Sequence, residues 1–490
     1  GLRLAVDMDN IVSRGRKFTT IVPAGESFTF PNVYIGAYEG DLESGSNEFK
    51  AWFFACKAPK TLRASETEPQ TQMDMQLGLD VPAGIEAIKW DYGWWSNDAL
   101  EGWKSLEGSW QLRNTDYLGV LGGYGLGTMA EFGELAAEKG LSWTVYLLLH
   151  DTLGADGNPT DEFGPFNSLT NPDWFSDRRV ADGMGLSADL GNAECVEYLK
   201  GALAAFFTEN NVTTWRSDFE PICMSSSREN RHDPMGSDVM YWCTVGFSEL
   251  VDHLYAAVPG FRYESCSSGG SMKDLFTATK AVVINCDDAA NYLSMRTTFY
   301  DSSYVIHPAQ LQLPCNSDNF NPSANGIFHP KISADAADDG YDFTDAMMDM
   351  GYRTLMLGVP MFSSWTGTID RAYYEEYGMM YTQKIRPLVR DGELYHILPR
   401  PDGVHWDGVM YADPDSENAI KGAVFLFKPS EEAGDSVTVQ LRGLERNTTY
   451  HLIFEDHPEA NYSATGAELM DGGVTATVKY VGSEIIWITE

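Results

Sequence analysis

The alternation of apolar and polar positions divides the chain into three parts. Near the start, Thr19 to Val22 and Ser27 to Phe30 flank a Pro-Ala-Gly-Glu turn, and Asn32 to Ala37 continues the β-prone pattern. This is too little to close a sandwich. Residues 1–76 are therefore expected to hold a partial N-terminal β-sandwich segment, followed by a polar Gln/Thr/Glu-rich connection over 61–76. From 77 to 394 strand and helix patterns alternate. Ile85 to Trp90 predicts a strand, and Thr128 to Lys139 a helix with Met129, Phe132, Leu135 and Ala136 on one face, stopped by Gly140. Leu141 to Leu149 is a near-continuous apolar run, as in a parallel strand buried on both faces. A second helix is expected from Ala193 to Asn210, capped by Asn192, with Glu194 in its first turn and Val196, Leu199, Leu203, Phe206 and Phe207 facing a core. Val212 to Trp215 then reads as a strand, Val239 to Ala257 as a helix, and Phe261 to Glu264 and Ala281 to Asn285 as further strands. Such alternation predicts an α/β fold, a (β/α)8 TIM barrel. Over 395–490 the pattern becomes short strands between Gly, Asn, Asp and Pro turns, which predicts a C-terminal antiparallel β-sandwich.

The 490 residues suit about two or three domains, and 43% apolar residues supply ample core. No stretch reaches the roughly 18 unbroken apolar residues of a membrane helix, so a membrane partner is not expected. The 34 basic and 71 acidic residues give a net charge of -37, which opposes nucleic-acid binding. No signal peptide opens the chain. The abrupt start at Gly1 favours trimming, with a secreted or cell-surface location if a signal was removed and a cytoplasmic one otherwise. Seven cysteines without Cys-x-x-Cys give neither a zinc pattern nor a disulfide framework, nine histidines form no ligand spacing, and no metal or cofactor is implied. The sequence leaves homo-oligomerisation open.

The chemistry collects after the strands: Asp91, Trp94, Trp95, His150, Asp218, Glu220, Cys266 and Asp287. The organising stretch is Thr213 to Pro221, where a short strand following a helix ends on Arg216, Ser217 and Asp218. Dinucleotide, P-loop, Gly-x-Ser-x-Gly and His-Glu-x-x-His patterns are all missing. Carboxylates with aromatic neighbours remain, the usual equipment for cutting glycosidic bonds, since indole and phenol rings stack on sugar C–H faces.

These residues together resemble glycoside hydrolase family 36, the α-galactosidase and α-N-acetylgalactosaminidase group. Asp91-Tyr92-Gly93-Trp94 is similar to its Asp-Asp-Gly-Trp, Ser105 to Trp110 to its Ser-Leu-Gly-Asp-Trp, and Asn171-Pro172-Asp173-Trp174 to its His-Pro-Asp-Trp. Trp215-Arg216-Ser217-Asp218 falls where the family has Lys-Trp-Asp, and Glu264-Ser265-Cys266-Ser267-Ser268-Gly269-Gly270 resembles Glu-x-Cys-Ser-Ser-Gly-Gly-Gly, the most specific match. Asn285-Cys286-Asp287-Asp288 falls at the family's Thr-Ser-Asp-Asp, and Lys384 to Leu388 resembles the segment after the barrel.

The resemblance implies a retaining exo-α-glycosidase acting on carbohydrate, with Asp218 as nucleophile and Asp287, or alternatively Asp288, as acid/base. It implies sugar contacts from Asp91, Tyr92, Trp94, Trp110, His150, Arg216, Glu220, Cys266 and Gly269. The expected substrate is a terminal α-galactoside; an α-N-acetylgalactosaminide or α-galactosaminide, transglycosylation, and glycan binding without turnover are the alternatives. Several positions depart from the pattern. Arg216 stands in place of a lysine, Tyr92 in place of an aspartate, Leu148 and His150 in place of two glutamates, and Ser271-Met272 in place of Gly-Arg. Lys89-Trp90-Asp91 spells the nucleophile motif letter for letter, yet its position in the chain matches an earlier substrate-binding strand.

Overall fold

The computed structural model describes residues 18–64, 68–74, 79–95, 108–179, 184–219, 222, 238–288, 291–316, 336, 340–363 and 371–490. Eight strands close into a barrel: β1 (Gln72–Asp74), β2 (Ala87–Trp90), β3 (Ser142–Tyr146), β4 (Thr214–Ser217), β5 (Arg262–Ser265), β6 (Val283–Asn285), β7 (Leu311–Asn316) and β8 (Val359–Ser363). Their order around the barrel is β1-β8-β7-β6-β5-β4-β3-β2, so each strand lies beside its neighbours in sequence. This is the TIM barrel that the alternation predicts. The chain divides into two compact units. One comprises Lys89–Ser268 with the N-terminal stretch as far as Ile35 and Gln76–Leu79; the other comprises Gly36–Met75, Asp80–Ile88 and Gly269–Glu490.

Aromatic packing builds the first unit. Trp90 is fully buried among Tyr117, Phe132 and Trp143, with ring centroids 4.9, 4.9 and 4.8 Å away. Burying a large apolar side chain of this kind contributes about 1.5–3 kcal/mol. The helix Met129–Glu138 starts on a capping box between Thr128 and Glu131. Asn192 caps the helix Ala193–Glu209 by accepting from the Glu194 and Cys195 amides. The helix Val239–Ala257 passes so close to Leu190 that a Cβ on Gly246 would sit 1.8 Å from its carbonyl oxygen. The apolar run to Leu149 outlasts β3 because it changes partner: the Leu147 amide still bonds Arg216 O, whereas Leu149 O accepts from Ala188 in the short strand Leu186–Ala188.

The N-terminal stretch departs from expectation. No strand occurs among the described residues before 42; a β-prone run becomes a strand only where a ladder partner holds it. Instead Phe28 rests on Tyr241 at 4.8 Å, and the Tyr241 hydroxyl donates to Thr29 O. A helix, Leu42–Cys56, follows the Asp41 cap, and a second helix spans Lys60–Ala64. The first barrel strand lies within the expected connecting loop.

In the second unit the C-terminal part forms a six-stranded antiparallel sheet. Its order is Glu393–Tyr395, Asp407–Ala412, Ile420–Lys428, Gly482–Thr489, Thr449–Phe454, Tyr462–Thr465. The pair Ser436–Val439 and Val474–Thr477 forms a two-stranded sheet of its own, and a core including Val424, Leu426, Leu452, Val474, Ile486 and Ile488 joins the two. Two arginines fasten helices of this unit to the sheet. Arg296 donates to both Asp407 oxygens at 2.7 and 3.0 Å, and Arg353 to both Asp456 oxygens at 2.5 and 2.8 Å. Among the described residues no helix is long and apolar enough to cross a membrane.

Candidate active site

Strand alternation sends Trp90 into the core and leaves Lys89 and Asp91 on the opposite face of the chain. In the barrel ladder Tyr146 pairs with Arg216, and Arg216 with Glu264, so β3, β4 and β5 carry the three in one row. Glu264 Oε1 accepts from Lys89 Nζ and from Arg216 Nη1, each at 2.6 Å. Arg216 Nε lies 3.6 Å from Asp91 Oδ2, the most exposed member of the chain at 25%. The charges therefore alternate from the buried end outward: lysine, glutamate, arginine, aspartate.

Burial pushes the Glu264 carboxyl up, but the Lys89 and Arg216 charges outweigh it and hold the group below the usual range. Burial also opposes the Arg216 charge, yet Cys266, Asp91, Glu264 and Asp218 raise its ionisation well above the ordinary value. Arg216 is thus a fixed cation. The motif Lys89-Trp90-Asp91 finds its role here, with Lys89 as a fully buried counter-ion.

Asp218 follows β4 directly. Its Oδ1 accepts the Ser268 amide at 2.8 Å and its Oδ2 accepts the Tyr146 hydroxyl at 3.3 Å. The Ser268 amide arrives through a bend that costs energy: Ser267 and Ser268 both sit in the left-handed region, at φ 49° and 53°. Phe219, immediately after Asp218, is left-handed too at φ 45°. The β4–β5 ladder anchors both sides of this bend, since the Cys266 amide donates to Ser217 O at 2.9 Å and the Ser217 and Tyr263 hydroxyls meet at 2.6 Å.

The remaining expected residues divide. Tyr92 is 46% exposed just past the end of β2, and Cys266 is buried at the end of β5. Trp110, left-handed at φ 51°, points its indole N–H at Leu148 O across 3.4 Å. Trp94 is fully buried, stacked on Phe206 of the helix Ala193–Glu209, which places it in strand–helix packing. His150 is buried, bridged to Ser187. Glu220 and residues 105–107 lie outside the described residues.

In the second unit, Asp287 Oδ2 accepts from the Ser294 hydroxyl and, at 3.2 Å, from the Thr298 hydroxyl, both on the helix Tyr292–Ser302. Asp288 is exposed, and its Oδ1 accepts from Asn285 Nδ2 at 2.8 Å. Gly269 is left-handed at φ 74°, and a Cβ there would meet the Asp288 carboxyl carbon at 2.9 Å. The Lys273 amine donates to Cys286 O at 2.5 Å. Among the described residues no group of three His, Cys, Asp or Glu could hold a metal ion.

Sequence reasoning overlooked Tyr146, Lys89 as an ion partner, and the Ser268 amide. A lysine inside a buried strand was the available signal, since such a charge requires a counter-ion.

No family model matches the chain. A curated relative, alpha-galactosidase 1 of Pediococcus pentosaceus, is 24% identical over 217 residues, which cover 44% of this chain and 27% of the relative. Among solved structures, a GH36 α-galactosidase of Geobacillus stearothermophilus determined with stachyose aligns at TM-score 0.69 and 15% identity, covering 91% of this chain and 59% of that one. The galactosidase domain of an α-galactosidase–sucrose kinase aligns at TM-score 0.66 and 15% identity, covering 92% and 58%. The chain therefore spans under two thirds of these relatives' lengths. Its fold is that of the GH36 α-galactosidases, the family its motifs resemble.

Proposed function

We propose that the chain is a retaining exo-α-glycosidase that hydrolyses terminal α-galactosides of oligosaccharides or glycoconjugates. The observation that carries this reading is the setting of Asp218: a carboxylate at a barrel-strand C-terminus, with a donor on each oxygen. The α-galactosidase-like fold supports the same reading. In the first step Asp218 bonds to the anomeric carbon, the glycosidic C–O bond breaks, and Asp287 gives its proton to the leaving oxygen. In the second, Asp287 takes a proton from water, whose oxygen displaces Asp218. The Ser294 and Thr298 hydroxyls orient the Asp287 carboxyl for these exchanges; Asp288 is the alternative donor. Arg216 and Asp91, locked by the Glu264 chain, meet sugar hydroxyls.

Two variants test the roles. Asp218→Ala abolishes turnover, and azide restores part of it on an activated substrate. Asp287→Ala spares the first step when the leaving group needs no proton. A crystal structure with bound sugar should place the two carboxyls about 5–5.5 Å apart, whereas a gap near 9 Å means inversion. Activity that survives Asp218→Ala but not Asp91→Ala overturns the assignment.

A second reading follows from Tyr92, Leu148 and Ser271, which replace family residues near the sugar and favour a 2-amino or 2-acetamido galactoside. With a net charge of -37, a cationic amino sugar should show kcat/KM falling as salt rises. Turnover of the neutral galactoside alone, without salt dependence, removes this reading. Acceptor competition identifies a transglycosylase, and binding without turnover identifies a glycan-binding protein.

A further inference from the structure

We infer that Tyr146 is a positioning residue that governs the second half of the reaction: its hydroxyl, 3.3 Å from Asp218 Oδ2, stabilises the carboxylate as the covalent intermediate breaks down. This rests on the reading of Asp218 as nucleophile.

The phenol is held in place from several sides. Tyr146 is 1% exposed, its ring stacks on Trp95 at 5.6 Å and 26°, and Tyr92 meets it edge-on at 6.3 Å. Its own carbonyl accepts from Trp94 Nε1 at 2.7 Å, so backbone and ring are both fixed. Burial first, and the Asp218 and Asp91 charges next, push its ionisation well above 10. It therefore remains a donor wherever the enzyme works.

A donor on the nucleophile acts differently in the two steps. When Asp218 attacks, its negative charge disperses into the new ester, and a hydrogen bond to that charge weakens. When water attacks the anomeric carbon, the ester C–O pair returns to Asp218, and the proton passes to the acid/base carboxylate. The hydrogen bond then strengthens as the bond breaks, which is the condition for accelerating a step. Ser268 supports Oδ1 through backbone, which no side-chain change removes. Tyr146 supports Oδ2 through a single atom that phenylalanine lacks.

The test is Tyr146→Phe, which keeps the ring and its stacking, assayed on an aryl α-galactoside with a good leaving group. Losing one hydrogen bond to a charged acceptor should slow breakdown of the intermediate about 10- to 100-fold. Glycosyl-enzyme then accumulates, so kcat and KM fall together while kcat/KM, which reports the first step, changes little. A burst equal to one aglycone per enzyme molecule should precede steady state. Peptide mapping of acid-quenched enzyme should find the sugar on Asp218. Equal loss in kcat and kcat/KM without a burst, or unchanged kinetics, overturns the role of Tyr146 while the adduct on Asp218 leaves the nucleophile intact. An adduct on another residue, or none in either protein, overturns the nucleophile and this inference with it.

Discussion

Glu264 and Asp407 are equally hidden from water, at 0% and 2% exposure, yet their carboxyls are driven in opposite directions. Burial is the largest influence on each and pushes each up. Glu264 has two cations on one oxygen and ends below the usual range. Asp407 has one, Arg296, in a two-point grip at 2.7 and 3.0 Å, with Asp402 repelling it, and ends above the usual range. The number of cations, not the depth of burial, decides which way the ionisation of each carboxyl is driven. The excess positive charge at Glu264 also holds Asp91 beside Arg216, with its side chain 25% exposed. The Asp407 pair fastens the helix Tyr292–Ser302 to the sheet.

The largest expected effect breaks the first arrangement. Glu264→Gln takes the shared anion from two buried cations and should cost about 3–5 kcal/mol in urea unfolding, with turnover lost. Asp407→Asn strands only one cation and should cost visibly less; equal losses would void the distinction. Next, Lys89→Met reduces Glu264 to a single cation, as at Asp407. It should cost about 1.5–3 kcal/mol, and less when combined with Glu264→Gln than the two separate losses added.

A smaller effect lies in the pH dependence of these variants. Glu264 is depressed in the folded state, so its contribution is complete above the unfolded value near 4.3 and fades as pH falls through the folded one. The gap between parent and Glu264→Gln should therefore narrow on acidification. Asp407 is raised, so its ionisation contribution is complete below the unfolded value near 3.9 and lost as pH rises through the folded one. The gap to Asp407→Asn should widen on acidification, and denaturant midpoints from pH 7 down to about 3 would reveal both slopes. Smallest of all, Arg400→Ala removes a pair with Asp301 whose side chains are 56% and 50% exposed, and should shift stability by less than about 0.5 kcal/mol.

What was legible in the sequence follows from which physical signals are local. The helix Val239–Ala257 has the bounds its apolar period predicts. The helix Leu42–Cys56 went unread because most of its buried face is polar: Glu43, Ser46, Asn47 and Lys50 turn inward beside Phe53, so the apolar period is confined to its second half. Strand β1 has only the three residues Gln72, Met73 and Asp74, too few to show alternation. At the candidate site, motif order pointed to Asp218, Arg216 and the Glu264–Gly270 loop. Tyr146 was concealed within an apolar run, and the Ser268 amide depends on a left-handed bend that serine rarely adopts. Lys89 was read as a coincidence of spelling because its partner lies 175 residues away.

The exposed apolar side chains of the N-terminal stretch have a consequence for the protein in solution. Ile21, Phe30, Val33 and Ile35 are 51%, 62%, 55% and 68% exposed, in a chain segment with the composition of a strand that forms no ladder among the described residues. Such a segment adheres to its own kind on contact. Against this stands a net charge of -37, which keeps molecules apart at long range. The two forces differ in reach. At about 0.15 M salt the repulsion extends only about 8 Å, and the adhesive contact is left nearly untouched. Colloidal stability is therefore greatest in dilute buffer and declines as salt is added, the reverse of a protein that salt keeps in solution.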